Sequence, residues 1–174
     1  MLKQLLTLYQ KIDENKQKFE LHGLNGNFFI DVYRTQPFQP ELYEYFSLPA
    51  IFVDYQMAGQ GLNKQRLVTL TLHIIVDELP DASNISEQKV IGLKRFTYCL
   101  LLQSILEGIT LNNTSRLRFI SENIIDENVV NYHTQTYEFE AHLDDMLGET
   151  ERIFGEFERL NIYGNLVKSL RKQQ

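Results

Sequence analysis

The sequence predicts an α+β domain: a largely antiparallel or mixed sheet of about five strands, with an N-terminal helix and a long central helix packed on it. Three observations predict this. Residues Leu67 to Val76 alternate, with Val68, Leu70, Leu72, Ile74 and Val76 on one face and Thr69, Thr71, His73 and Ile75 on the other. Period two with one mostly polar face is the pattern of an antiparallel strand covered on one side. Leu2, Leu5, Leu6, Tyr9, Ile12 and Phe19 recur at helical spacing, with Lys3, Gln4, Gln10, Lys11, Glu14 and Lys18 on the opposite face. Val90, Ile91, Leu93, Phe96, Leu100, Leu101 and Ile105 carry the same period through a long apolar segment that Gly108 ends.

The elements follow in order. The first helix is expected over 2–20, stopped by His22-Gly23. Phe28-Phe29-Ile30-Asp31-Val32-Tyr33 is aromatic and β-branched, which places a strand at 28–35. Loop 36–46 follows, because Pro37 and Pro40 remove ladder donors. Its aromatics fit either a lid over the sheet edge or a contact surface for another subunit. Ala50-Ile51-Phe52-Val53-Asp54-Tyr55 marks a strand at 48–56, and the next spans 66–78. The polar bend 56–66 between them carries Gly59 and Gly61. Ser83 or Asn84 caps a helix over 84–108. Strands at 115–126 and 132–144 complete the sheet, the last with Tyr137, Phe139, Ala141 and Leu143 inward. The expected core is Leu5, Tyr9, Ile51, Val53, Leu70, Leu72, Ile74, Phe96, Leu100, Phe139 and Leu143.

The chain has 174 residues, the length of one domain. Residues 1–148 form it, and 149–174 read as a C-terminal helical extension packed on it or fraying from it, with a basic end at Lys168–Lys172. Such a domain buries roughly 70% of its unfolded surface and needs no disulfide or metal to fold. Cys99 is the single cysteine, which excludes an internal disulfide and any multi-cysteine metal site. Its apolar surroundings, Phe96–Leu102, predict a buried, inert thiol. A net charge of -6 opposes general nucleic-acid binding. The N-terminus lacks a signal-peptide pattern, and no stretch approaches the ~18 apolar residues of a membrane span. A soluble product that stays in the compartment of its synthesis is expected.

Catalytic patterns are missing. The four histidines, His22, His73, His133 and His142, form no HxH, HExxH or HxxxH pairing, so no transition-metal site is expected. Asp54, Asp77, Glu78 and Asp81 sit at strand ends, where turn and cap duty explains them. Glu138, Glu140, His142, Asp144 and Asp145 make an acidic stripe, either a solvated face or an electrostatic surface. Gly59-Gln60-Gly61 lacks the Lys-Ser/Thr of a phosphate loop, and no G-x-S-x-G elbow occurs. No catalytic, cofactor or metal residue is assigned, and the chain is not expected to be an enzyme.

The string as a whole, with IDVYRTQ, LPAIFVDY, RLVTLTLHIIVDELPD, SRLRFISENI and YHTQTYEFEAHL in that order, resembles the tail-terminator and tail-completion (head–tail joining) proteins of long-tailed bacteriophages and prophages. The likeness covers most of residues 1–145 and lies in element order and in LPAIFV and TLHIIV. It implies a subunit that forms a homo-oligomeric, hexameric ring, caps the tail tube and meets the head connector. DNA passes through the lumen without being gripped. It also implies a place in the host bacterial cytoplasm during assembly and in the virion afterwards. The contact residues expected under this resemblance are Phe38, Tyr43 and Tyr45 in loop 36–46, and Gln60, Asn63, Lys64 and Arg66 in the bend. The rival is a small-ligand-binding or enzymatic domain with an apolar pocket under loop 36–46.

Overall fold

The computed structural model describes residues 1–39, 46–59, 61, 64–76, 82–125 and 131–147. The elements are α1 (Leu2–Glu14), α2 (Lys16–Leu21), β1 (Phe29–Val32), β2 (Ala50–Gly59), β3 (Arg66–Val76), α3 (Lys89–Gly92), α4 (Lys94–Leu106), β4 (Arg118–Ile125), β5 (Asn131–Ala141) and α5 (Leu143–Leu147). One five-stranded sheet runs β1-β2-β3-β5-β4. Only β1–β2 is parallel; the other pairs are antiparallel, so the sheet is mixed.

The predicted alternation of β3 holds at every position. Val68, Leu70, Leu72, Ile74 and Val76 are buried beneath the helices, alongside Ile51 and Val53 of β2 and Tyr137, Phe139 and Ala141 of β5. Leu8 and Ile12 of α1, Phe19 of α2 and Tyr98, Cys99, Leu102, Ile105 and Leu106 of α4 close this core. Phe19, Phe28 and Tyr98 form an aromatic triplet with centroids 5.0–5.9 Å apart. A second, smaller cluster lies on the reverse face, where Ala50, Phe52, Ile75 and Tyr132 are covered by Phe29, Tyr33, Phe46, Leu48 and Ile125.

Helix α2 ends as glycine requires. Gly23 takes φ +66, its N–H reaches the Glu20 carbonyl, and Leu24 N–H reaches Phe19. This is a Schellman motif, and the buried Leu24 and Phe19 supply its apolar contact. Gly26 passes so close to α2 that a Cβ there would lie 2.4 Å from the Lys16 carbonyl oxygen.

Several boundaries depart from expectation. The first helix breaks at Asn15, whose side-chain amide donates to the Lys11 carbonyl and competes with the helical ladder. The central helix begins only at Lys89 and is interrupted at Leu93; Ser83 and Asn84 do not cap it, and Ser86 Oγ accepts from Gln88 N–H in a local turn. Leu100 is 64% exposed, because the helix presents Cys99 and Leu102 to the sheet and turns Leu100 to solvent. Leu5, Tyr9 and Phe96 are half-buried rather than fully buried. β5 ends at Ala141, so Leu143 belongs to α5 and is 45% exposed. β2 runs on to Gly59, paired with Arg66, so the connection is shorter than 56–66. The extension 149–174 lies outside the described residues.

Leu72 is fully buried on the central strand. Leu72→Ala should lower unfolding free energy by about 2–5 kcal/mol. Leu100→Ala should cost under about 0.5 kcal/mol, as surface changes do. Urea titration of both variants checks the assignment of faces.

Candidate functional site

The expected contact residues fall in two places. Phe38 stands edge-on to Tyr132 with centroids 5.7 Å apart and stays 48% exposed. Gln36 pins the start of this loop: its amide donates to the Val32 carbonyl at 2.7 Å and its oxygen accepts from Arg34 N–H at 2.6 Å. Phe46 packs on Phe52 at 5.1 Å and on Phe29 at 6.0 Å, so aromatic rings fill the space beneath the described end of the loop. Tyr43 and Tyr45 lie outside the described residues. Gln60 and Asn63 do as well. Lys64 is exposed and Arg66 half-buried. The Arg66 guanidinium lies across Gly59, where a Cβ would meet its Nη1 at 2.6 Å.

The carboxylates divide. Asp54 is half-exposed on β2 and its side chain accepts from Tyr55 N–H at 2.7 Å. Asp77, Glu78 and Asp81 lie outside the described residues. The acidic stripe is not continuous. Glu138 and Glu140 share the reverse face of β5, His142 follows the strand, and Asp144 and Asp145 open α5. Arg118 Nη2 meets Glu138 Oε2 at 2.6 Å, and with Arg116 and Glu140 it lines an open depression of about 270 Å³.

A polar cluster that no local motif announced lies inside the core. His133, Gln135 and Tyr137 sit on the helix-facing side of β5. Tyr137 hydroxyl donates to Gln135 Oε1 at 2.9 Å. The Gln135 amide donates to the Cys99 carbonyl and to Glu122 Oε2, each at 2.8 Å. These bonds fix the amide and hold the Glu122 carboxylate with Oε1 turned to His133 Nδ1, 3.6 Å away. Cys99 Sγ completes the group. One donor atom from each of Cys99, Glu122 and His133 lies within 4.8 Å of the other two. The His133 ring is 2% exposed, and neither nitrogen has a hydrogen-bond partner among the described residues. Phe96 stands edge-on to it at 5.8 Å.

Burial sets the electrostatics. It pushes the Cys99 thiol far above its ordinary range, with the Glu122 charge and hydrogen bond adding to the effect. It pushes Tyr137 up as well. It lowers His133; Glu122 opposes that shift and Arg95 reinforces it. A thiol so protonated is a poor nucleophile, which agrees with the inert cysteine read from sequence. What sequence missed is that three donors from α4, β4 and β5 converge. The available signal was the inward alternation Tyr137, Phe139, Ala141, which extends back to Gln135 and His133.

Two expected outcomes test this arrangement. Tyr137→Phe leaves Gln135 Oε1 without its donor and should cost about 1–3 kcal/mol in urea unfolding. The second concerns His73, which stacks on Tyr33 at 3.8 Å and meets the Tyr132 hydroxyl through Nδ1 at 2.5 Å. Burial holds His73 below its ordinary 6.5, against a smaller upward pull from Asp54. The unfolded chain therefore takes up that proton first as pH falls. The contribution is complete above pH ~6.5 and shrinks below it. Urea midpoints should fall from pH 7.5 to pH 5, and His73→Asn should flatten part of that fall; an unchanged slope would remove His73 from the account. In comparison with known proteins, no family model matches this chain and no curated protein is similar to it.

Proposed function

We propose that this chain is a structural subunit of tail-terminator type, which closes into a homo-oligomeric ring, caps the tail tube of a phage or prophage and meets the head connector. One observation carries the reading: the sheet offers two free edges of opposite strand direction. β1 pairs with β2 only from Ala50 to Val53. Among the described residues, nothing pairs with the outer edge from Asp54 to Gly59, or with the outer edge of β4. Unpaired edges are templates for another chain. β2 and β4 run antiparallel, because three antiparallel pairings separate them. Identical copies placed side by side without inversion therefore bring β4 of one against β2 of the next as an antiparallel pair. Such a contact is heterologous, the kind that closes into a ring when the rotation between copies divides a full turn.

The exposed side chains fit this use. Tyr55 and Met57 on β2, and Ile120 and Ile124 on β4, are 40–56% exposed. A lone domain gains nothing from such residues on open edges, whereas aromatics and Met are enriched in interface cores. The uncovered part of the reverse face carries Thr69, Thr71, Thr136, Glu138 and Glu140. With a net charge of -6, it suits a lumen that DNA crosses without being held.

The test uses the direction of the backbone groups. Val53 carbonyl accepts from Tyr33 N–H, on the β1 side. By alternation, Tyr55 and Met57 point their N–H groups outward and Asp54, Gln56 and Ala58 point theirs at β3. Met57→Pro removes an outward N–H and leaves the β3 ladder intact. The variant should melt within a few degrees of the parent, yet particles assembled with it should show tails of abnormal length or heads without tails. Normal infectious particles from Met57→Pro would remove this edge from the mechanism. Normal particles after deletion of the whole gene would end the reading.

A further inference from the structure

We propose that Cys99, Glu122 and His133 form a binding site for a Zn²⁺-class divalent transition metal, independent of the ring reading. The geometry points to it first. Sγ, a carboxylate oxygen and an imidazole nitrogen lie within 4.8 Å of one another. Zn²⁺ takes S, N and O donors at about 2.0–2.3 Å, which sets tetrahedral neighbours under 4 Å apart. A small adjustment of side chains closes that difference.

An independent observation is the state of His133. Its ring is 2% exposed and, among the described residues, neither nitrogen is hydrogen-bonded; Glu122 Oε1 stands 3.6 Å from Nδ1, beyond hydrogen-bond reach. A buried polar group without a partner is costly, and native structures seldom leave one so. A metal ion takes up one of those nitrogens. Charge balance agrees: a thiolate and a carboxylate neutralise a divalent cation, and imidazole binds as the neutral ligand. The thiol proton leaves to solvent as sulfur takes the ion. Arg95 opposes the cation, but its guanidinium is engaged with Asn131 at 2.7 Å and lies over the Phe96 ring.

The surroundings have the form of a metal site's outer shell. Tyr137 orients Gln135, and Gln135 holds Glu122 Oε2, leaving Oε1 toward the other donors. Hydrogen bonds that orient ligating carboxylates and imidazoles are the usual accompaniment of bound metal. Glu122 is 26% exposed on the edge strand and gives the ion a way in. Sulfur in the donor set favours zinc, cobalt or copper over magnesium and calcium.

The probe is Co²⁺ added to reduced, metal-stripped full-length protein, followed by Zn²⁺ competition. The expected result is one Co²⁺ per chain with a thiolate-to-cobalt charge-transfer band in the near ultraviolet, displaced by Zn²⁺. Zn²⁺ alone should raise the thermal midpoint. Cys99→Ser should abolish the band, and Glu122→Gln, at a partly exposed position, should weaken Zn²⁺ binding about tenfold or more. Folded parent protein that shows neither the band nor a thermal shift overturns the site. Zn²⁺ binding that persists undiminished in Cys99→Ser also overturns it, since the ion is then elsewhere. Should a variant fail to fold, the parent's cobalt spectrum still decides.

Discussion

Everything in this domain is registered against β3. It pairs with β2 from Arg66 to Ile75 and with β5 along its whole length, so both halves of the sheet inherit its phase. Its inward residues, Val68 to Val76 in steps of two, sit under α1 and α4; its outward residues run from Leu67 through the polar Thr69, Thr71 and His73 to the apolar Ile75. A slip of one residue would turn five buried aliphatic side chains to the reverse face. At about 1.5–3 kcal/mol each, that loss is comparable to the whole stability of a typical domain. No neighbouring strand can choose its register independently. The reverse-face cluster of Phe52, Ile75 and Tyr132 exists because β3 brings Ile75 outward beside Phe52's strand and Tyr132.

Within that frame the polar cluster under α4 is costly. Gln135 is fully buried and His133 nearly so, on a face otherwise built from Tyr137, Phe139 and Ala141. Gln135 meets the cost: both amide contacts and its oxygen are engaged, two of the bonds tying α4 and β4 to β5 and the third lying within β5. One of them reaches the Cys99 carbonyl and so fixes α4 over β5. His133 meets none of its cost through hydrogen bonds among the described residues. The two residues stand two apart on the same strand, yet one is fully satisfied and the other is not. Hydrogen bonding explains Gln135; it does not explain why an imidazole stands where Leu or Val would fill the space without desolvation.

Sequence made the strands legible wherever alternation was strict and one-sided. β3 and the end of β5 are such places, and the mixed sheet with helices on one face follows from them. Helix limits were less legible. Leu93 and Asn15 break the helical runs although the apolar period continues through them, because period reports a face and not an unbroken ladder. Leu100 misled for the same reason: in an apolar-rich segment every residue looks inward. The buried cluster was hidden by a bulge. β4 pairs Phe119 with Tyr137, then resumes at Ser121 with Thr136, leaving Ile120 as the extra residue. That single insertion reverses the phase, so Glu122 faces the helices although simple alternation from Phe119 sends it outward.

The same bulge links the two surfaces of interest. It turns Glu122 inward to Cys99 and His133, and it leaves Ile120 exposed on the outer edge of the sheet. Among the described residues β4 has no strand beyond it, so there it is held by β5 and by what its inward side chains meet. Glu122 is the residue of β4 that reaches both α4 and β5 through polar groups, by way of Gln135, His133 and Cys99. An ion on those three donors would join edge strand, neighbouring strand and helix at one point, and would stiffen the edge offered to a neighbouring copy. The contact and the ion nevertheless draw on opposite sides of one strand: backbone groups and Ile120 outward, a carboxylate inward. Loss of the inward ligand therefore leaves the outward hydrogen-bonding groups chemically intact, and any effect of the ion on assembly would have to pass through the rigidity of β4 alone.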